Sequence, residues 1–563
     1  MYEKLSAERK QAQEQGLCPE WYTTGGYQLF KEKYQHQDSV KAQFELIART
    51  AANHLKGLGS EIEQQGYDKF FEMLWKGWLS PSTPVLANMG TNKGLPVSCS
   101  GNFVEDSIEG FYDAYKEVAL LSKQGFGTSS YLGNIRPRGS VISIGGKADG
   151  VLPVFKHFIQ VSREVRQGSQ RRGSWAGYIE ITHGDFDELA DFVMSDPEDA
   201  NIGWILTDGF FSEMNKGNTE LLRRYQKALK LKMVTGKGYF CKADELNRHR
   251  PQMYIDKGMF VKASQLCNEI SLFNDKDHTY TCILASPNLA KYREWQNTDM
   301  LFWATVFLDC VCEEFIQRAR GISGLERAVR FTEKGRALGL GQCGLHTLFQ
   351  QEMLPFEGLE AHLLSTSISK QIAEESLRAS QWLAKVLGEP EWCKGYGVRN
   401  THRTAIAPTK STALLMGGVS EGINPDPAMT FTQLTAGGEV ERVNPMLLRI
   451  MKYRDVYNKD TIRDMKQAMG SVQHVTWLSD KEKEVFKTAF ELNQSAIIRM
   501  AAARTKHLCQ WQSLNLFFSA EAHESEVSRV HQEALMNPEI LGLYYVYSSA
   551  GVQASTGECV ACQ

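Results

Sequence analysis

The chain has 563 residues, 42% of them hydrophobic and 23% charged, with a formal net charge of −3. That balance excludes a disordered chain and offers no general attraction to nucleic acid or an anionic membrane. The length calls for two or three domains, or for one large barrel with additions.

The first residues, Met1-Tyr2-Glu3-Lys4, are polar and lack the apolar core of a signal peptide. Residues 1–80 read as helical and amphipathic, as in the stretch Gln43 to Ala52. The middle of the chain alternates short apolar runs with helical periods, which predicts an α/β architecture. A helix is predicted after Cys99, with Ile108, Phe111, Tyr112, Tyr115, Val118 and Leu121 at helical spacing. Asp106 followed by Glu109 suggests a capping box at its start. The longest apolar run, Leu301 to Cys312, is broken by Asp309 and is too short to span a bilayer. After Tyr547 the composition turns to Ser, Ala, Gly and Thr, so 548–563 reads as a mobile tail. Twelve cysteines in a chain this long are not a disulfide framework. With no export signal, the expected compartment is the reducing cytoplasm, where a CxxC is redox-active or metal-binding.

Five stretches carry candidate chemistry. In "LSPSTPVLANMG" (79–90), two prolines bracket Ser82 and Thr83 and fix a backbone that displays hydroxyls; an ordinary loop is the alternative. In "KASQLCNEISL" (262–272), Cys267 and Glu269 would share a face if the segment is a strand. They then form either a reactive thiol–carboxylate pair or a buried thiol beside a surface acid. In "AIAPTKSTALLMGG" (405–418), Pro408 and Thr409 sit where a helix should begin, with Lys410, Ser411 and Thr412 in its first turn. Free N–H groups and the positive dipole end make this a phosphate seat or a plain capped helix. "LGLGQCGLH" holds a GxGxxG pattern, but no buried strand precedes it, so tight backbone packing is expected rather than a dinucleotide site. In "GLYYVYSS" (542–549), Tyr544 and Tyr545 would face opposite sides of a strand, as core aromatics do.

These motifs, in this order, resemble the large catalytic subunit of class I ribonucleotide reductases. The resemblance runs from about Leu79 to the last residue and includes "SPSTPVLANMG", "SCSG…EDSIEG", "SQLCNEI", "CILASPNL", "RALGLGQCGLH", "APTKSTALLMGGVSEGINP", "QSLNLFF", "LYYVYS" and the terminal "CVAC". It implies a ten-stranded α/β barrel (81–547) with a central finger loop, preceded by a helical region (1–80) and followed by a redox tail (548–563). Cys267 would be a transient thiyl radical at the loop tip and Glu269 the general base. Cys99 and Cys282 would supply two electrons and close into a disulfide. Tyr544 and Tyr545 would relay the radical from a separate metal-bearing small subunit, so this chain would hold no metal itself. Cys559 and Cys562 would shuttle reducing equivalents from thioredoxin or glutaredoxin; half a zinc site is the alternative for that pair.

The resemblance further implies a ribonucleoside diphosphate substrate, with its phosphates on Pro408–Thr412 and with Thr83 and Ser98 contacting it. A deoxynucleoside triphosphate or ATP effector would bind at Asp106, Ser107, Ile108 and Arg136, and Arg172 in "QGSQRRGSWAG" would report to the substrate base. The effector site implies a homodimer. Two departures stand out. Gln265 occupies the position of the family's usual Asn, and about 80 residues before Thr83 leave little room for an N-terminal ATP-binding cone. No activity site of that kind is expected. Two rivals remain at this stage: a cobalamin-dependent reductase on the same barrel, and a thiol–disulfide oxidoreductase using the CVAC pair.

Overall fold

The computed structural model describes residues 2–165, 173–435 and 438–549, without the side chains of 432–441. Its centre is a curled sheet built in two halves. The first half contains β2 (Cys99–Phe103), β3 (Gly127–Tyr131), β4 (Trp175–Glu180), β5 (Ile202–Leu206) and β6 (Tyr239–Lys242), all parallel and adjacent in chain order. Helices Ile108–Lys123, Val151–Glu164, Phe186–Ser195 and Thr219–Thr235 supply the crossovers. Such strands are covered on both sides, so they read as continuous apolar or small runs such as "WAGYIE" and "IGWIL" rather than as alternation.

The second half runs the other way. β1 (Leu79–Pro81) and β2 both pair antiparallel with β7 (Tyr280–Pro287), and β7 pairs parallel with β8 (Leu338–Leu340). The sheet continues through parallel bridges Leu340↔Thr404 and Ile406↔Gln512. β9 (Thr430–Thr435) and β10 (Gly438–Val443) form a separate flanking hairpin, and β11 (Leu516–Phe518) lies in a two-stranded sheet of its own. β12 (Gly542–Leu543) returns antiparallel onto β6, and β13 (Val546–Ser548) pairs parallel with β11. This is the α/β barrel the motifs implied, its two halves joined at the β2–β7 and β6–β12 seams.

Residues 2–75 are helical, as expected, with helices Tyr2–Glu14, Thr24–Leu29, Val40–Ala52 and Ser60–Trp75 and a π-helical turn at Phe30–Tyr34. Their apolar faces join the barrel's own core. Phe70, for example, meets Trp303 and Phe307 on helix Met300–Ala319 edge-on. A smaller core of Met429, Leu447, Met451, Ile462, Met465 and Phe486 closes a satellite unit beside β9 and β10. Among the described residues, no helix is long and apolar enough to cross a membrane.

The glycine pattern at 339–344 serves packing. A Cβ on Gly339 would stand 2.4 Å from Leu284 Cδ2, and one on Gly341 would stand 2.6 Å from the Ala405 carbonyl.

Candidate active site

Cys267 and Glu269 sit on a buried loop inside the barrel. The strand geometry entertained for them is not what forms. Residues 261–274 make no ladder, and Asn268 between them takes a left-handed φ of 64°. The loop is instead tied to the wall residue by residue. Tyr178 of β4 donates to the Gln265 carbonyl (2.7 Å), and Tyr280 of β7 donates to the Ser264 carbonyl (2.8 Å). Ser513 Oγ donates to the Cys267 carbonyl (2.7 Å), and the Trp511 N–H donates to the Glu269 carbonyl (2.9 Å). A turn of this shape, fixed from several strands, holds one thiol at a set depth. Cys267 is 7% exposed.

Glu269 is fully buried. Gln265 Nε2 donates to its Oε2 at 2.6 Å, and Ser513 Oγ reaches the same oxygen at 3.3 Å. Burial outweighs these hydrogen bonds and pushes the Glu269 carboxyl up from 4.5 to about 8. The amide at position 265 therefore lies within the site despite its extra methylene, and it addresses the carboxylate. Glu269 Oε1 is buried and has no hydrogen-bond partner.

Cys99 on β2 and Cys282 on β7 are direct cross-strand partners. Opposed residues of an antiparallel pair have Cα atoms about 4.5–5.5 Å apart, within the range of about 4.4–6.8 Å that a disulfide spans. No disulfide joins them in this structure. Burial, then the Glu269 charge, raises the Cys282 thiol far above its ordinary value, so it stays protonated.

Thr83, Ser98, Cys99, Cys267, Glu269 and Pro408–Thr412 all line one open cleft. The 408–412 segment forms its rim. Thr409 is held at φ 56°, its hydroxyl accepts from the Gly422 N–H (2.8 Å), and a short helix, Lys410–Leu415, follows. The Lys410 ammonium also lies 5.9 Å from the Tyr545 ring centroid, linking this rim to the tyrosines.

Tyr544 and Tyr545 do not face opposite ways as a strand would require. The ladder is interrupted between β12 and β13, where the chain changes partner from β6 to β11. In that gap the two rings meet, with centroids 4.2 Å apart. Tyr239 of β6 packs on both, at 4.9 and 5.5 Å.

At the other end of the first half-barrel, Asp106 and Arg136 form an ion pair at 2.6 Å. The expected capping box is absent. Ser107, not Asp106, caps helix Ile108–Lys123 by accepting from the Gly110 N–H, because Arg136 engages the Asp106 carboxylate. Ile108 and Tyr112 are exposed on that helix. Arg172, Cys559 and Cys562 lie outside the described residues. Among the described residues, no group of three or more His, Cys, Asp or Glu side chains could hold a metal ion.

Several residues of the site escaped the sequence reading. Ser80 and Ser286 line the cleft as cross-strand partners of β1 and β7, and Tyr178, Tyr280 and Ser513 anchor the loop. The only signal for them is sheet register.

Fold and cleft together describe an α/β barrel that holds thiols and a carboxylate inside the sheet. The family model "Ribonucleotide reductase, barrel domain" matches residues 97–224, 220–392 and 391–545. A Frog virus 3 (isolate Goorha) protein described as a ribonucleoside-diphosphate reductase large subunit is 34% identical over 532 residues, covering 88% of this chain and 92% of that protein. The ribonucleoside-diphosphate reductase large subunit of Danio rerio is 26% identical over 614 residues, covering 94% of this chain and 76% of its own. The Actinobacillus ureae class Id ribonucleotide reductase alpha subunit superposes with a TM-score of 0.86 at 34% identity, covering 95% of this chain and 99% of that one. The chain belongs to the ribonucleotide reductase family and is similar to its large, class I alpha subunits.

Proposed function

We propose that this chain reduces ribonucleoside diphosphates to 2′-deoxyribonucleoside diphosphates. The observation that carries the reading is the cross-strand pair Cys99–Cys282 beside a cleft that also holds Cys267 and Glu269. A thiyl radical at Cys267 removes the 3′ hydrogen of the ribose. Glu269, in its ionised fraction, takes the 3′-hydroxyl proton, and the 2′-hydroxyl leaves as water. Cys99 and Cys282 give up two hydrogens and become a disulfide, and the 3′ hydrogen returns from Cys267. The balance is one diphosphate and two thiols in, one deoxy product, one water and one disulfide out. Gln265 holds Glu269 in place, and protonated Cys282 is suited to giving up hydrogen rather than to nucleophilic attack.

The touching rings of Tyr544 and Tyr545 support a relay of the radical from a separate, metal-bearing small subunit. Pro408–Thr412 would hold the diphosphate, opposite Thr83 and Ser98. Asp106, Ser107, Ile108 and Arg136, with Arg172, would bind the triphosphate effector in a homodimer. Cys559 and Cys562 would carry electrons from thioredoxin or glutaredoxin in the cytoplasm. On this reading residues 1–80 are a supporting helical region, 81–547 the catalytic barrel and 548–563 the redox tail.

The test is a CDP reduction assay with and without a candidate small subunit, and with each effector. Turnover that needs the small subunit and shifts with effector supports the reading; turnover on adenosylcobalamin alone overturns the relay. Cys267→Ser should abolish turnover while CDP binding survives, because the loss lies in the chemistry.

A further inference from the structure

The helical segment ahead of the barrel touches both walls of the substrate cleft. Tyr34, in the π-helical turn Phe30–Tyr34, is fully buried, and its Oη lies 3.1 Å from Thr83 Oγ1. Its backbone is fixed in turn, since Gln43 Nε2 donates to the Tyr34 carbonyl (2.8 Å) and to the Leu86 carbonyl (2.9 Å). One glutamine thus staples this turn to the short helix that Thr83 begins. Against the opposite wall, Gly26 packs on the helix that follows the 408–412 rim. A Cβ there would meet the Leu415 and Leu414 carbonyls at 3.1 and 3.2 Å. Irregular π turns inside a helical run recur at functional sites, because the extra residue re-aims a side chain.

We propose that Tyr34 is a positioning residue for substrate: its phenol donates to the Thr83 hydroxyl oxygen and so turns the Thr83 proton into the cleft, toward an oxygen of the bound nucleotide. A hydroxyl has one proton and two acceptor sites, so a donor on one acceptor site fixes where that proton points. Thr83 lines the cleft, and Tyr34 does not. Residues 23–34 therefore act on the nucleotide through Thr83 and through the helix at 410–415, touching no reacting atom. The inference rests on Thr83 as a substrate contact.

Equilibrium binding of CDP, together with kcat and KM for CDP reduction with the small subunit, tests it. Tyr34→Phe keeps the ring and removes the donor. It should weaken CDP binding and raise KM about three- to tenfold, the range for one hydrogen bond, while kcat changes less than twofold. In a Thr83→Val background the same change should add nothing, because its effect passes through that hydroxyl. Thr83→Ser keeps the hydroxyl and should retain the sensitivity to Tyr34→Phe. Gly26→Ala is the second variant, independent of the phenol, and it should also raise KM by pushing on the rim helix. Melting curves establish that each variant is folded. If Thr83→Val alone leaves CDP affinity unchanged, the substrate-contact reading of Thr83 fails. If Thr83→Val weakens binding but Tyr34→Phe does not, or Tyr34→Phe weakens it equally with and without the Thr83 hydroxyl, the positioning role of Tyr34 is overturned. Should Tyr34→Phe fail to fold, an unchanged KM in Gly26→Ala overturns the wider role of the segment.

Discussion

Glu269 sets the pH behaviour of the site. Its carboxyl titrates near 8 in the folded chain against 4.5 ordinarily, with burial the largest cause. Between those two values the folded state holds a proton that the unfolded state has released. Stability therefore falls as pH rises through that window and levels off above it. Glu269→Gln removes the titration and keeps an oxygen for the Gln265 amide to bond. The variant should melt higher than the parent at pH 8, by on the order of 3 kcal/mol, with the gap closing toward pH 5. Its turnover should fall at least about 100-fold if Glu269 is the general base proposed above. Thermal melts at the two pH values check the first expectation and CDP turnover the second. A variant equally stable at both pH values relative to the parent would mean that the carboxyl is already charged at neutrality.

At the scale of elements, the finger loop depends on one glycine. A Cβ on Gly101 of β2 would stand 2.0 Å from Tyr280 Cζ, so the ring occupies the space the side chain would need. Tyr280 is also what holds the Ser264 carbonyl. Gly101→Ala should displace that ring, cost about 1–3 kcal/mol as overpacking does, and cut turnover more than CDP binding. Tyr280→Phe, which leaves the space filled but removes the tether, should reproduce the turnover loss with a smaller drop in melting temperature. Full turnover in Gly101→Ala would show that the tether is dispensable. The same scale shows what could be read in advance. The helix at 108–123 was legible from its spacing, because amphipathic periodicity is local. Its cap was misassigned because Asp106 answers to Arg136, 30 residues away. Asp309, which breaks the apolar run at 301–312, bonds Arg336 at 2.8 Å and Arg399 at 3.0 Å inside the core. No local pattern announces such a pair. The Cys99–Cys282 and Tyr34–Thr83 contacts share that character. The first was expected only through resemblance to a family, and the second was not expected at all.

Over the whole molecule, the barrel that would shelter the proposed radical would also isolate a disulfide formed between Cys99 and Cys282. Cys99 is 5% exposed and Cys282 not at all, each on a strand covered by its neighbours. A folded reductase could not approach those sulfurs in line, as thiol–disulfide exchange requires. Reducing equivalents must therefore arrive on something thinner than a protein domain, and the sequence supplies Cys559 and Cys562 at the end of the same chain. A thiol pair tethered to the barrel would reach the disulfide at high effective concentration. Pre-reduced enzyme with the small subunit but no reductant should form two products per chain and stop, one from Cys99 and Cys282 and one from the tail pair that re-reduces them. Cys559→Ser with Cys562→Ser should leave the first turnover intact, since Cys99 and Cys282 are still reduced at the start, and should remove the second. Steady turnover with thioredoxin should be lost, whereas dithiothreitol, small enough to enter the cleft, should restore slow cycling. Rapid quenching of the first turnover, followed by steady-state assays with each reductant, separates these outcomes. Full thioredoxin-dependent cycling in the double variant would mean that the barrel opens far enough to admit the reductase directly, and the isolation argued from the burial of Cys99 and Cys282 would not hold.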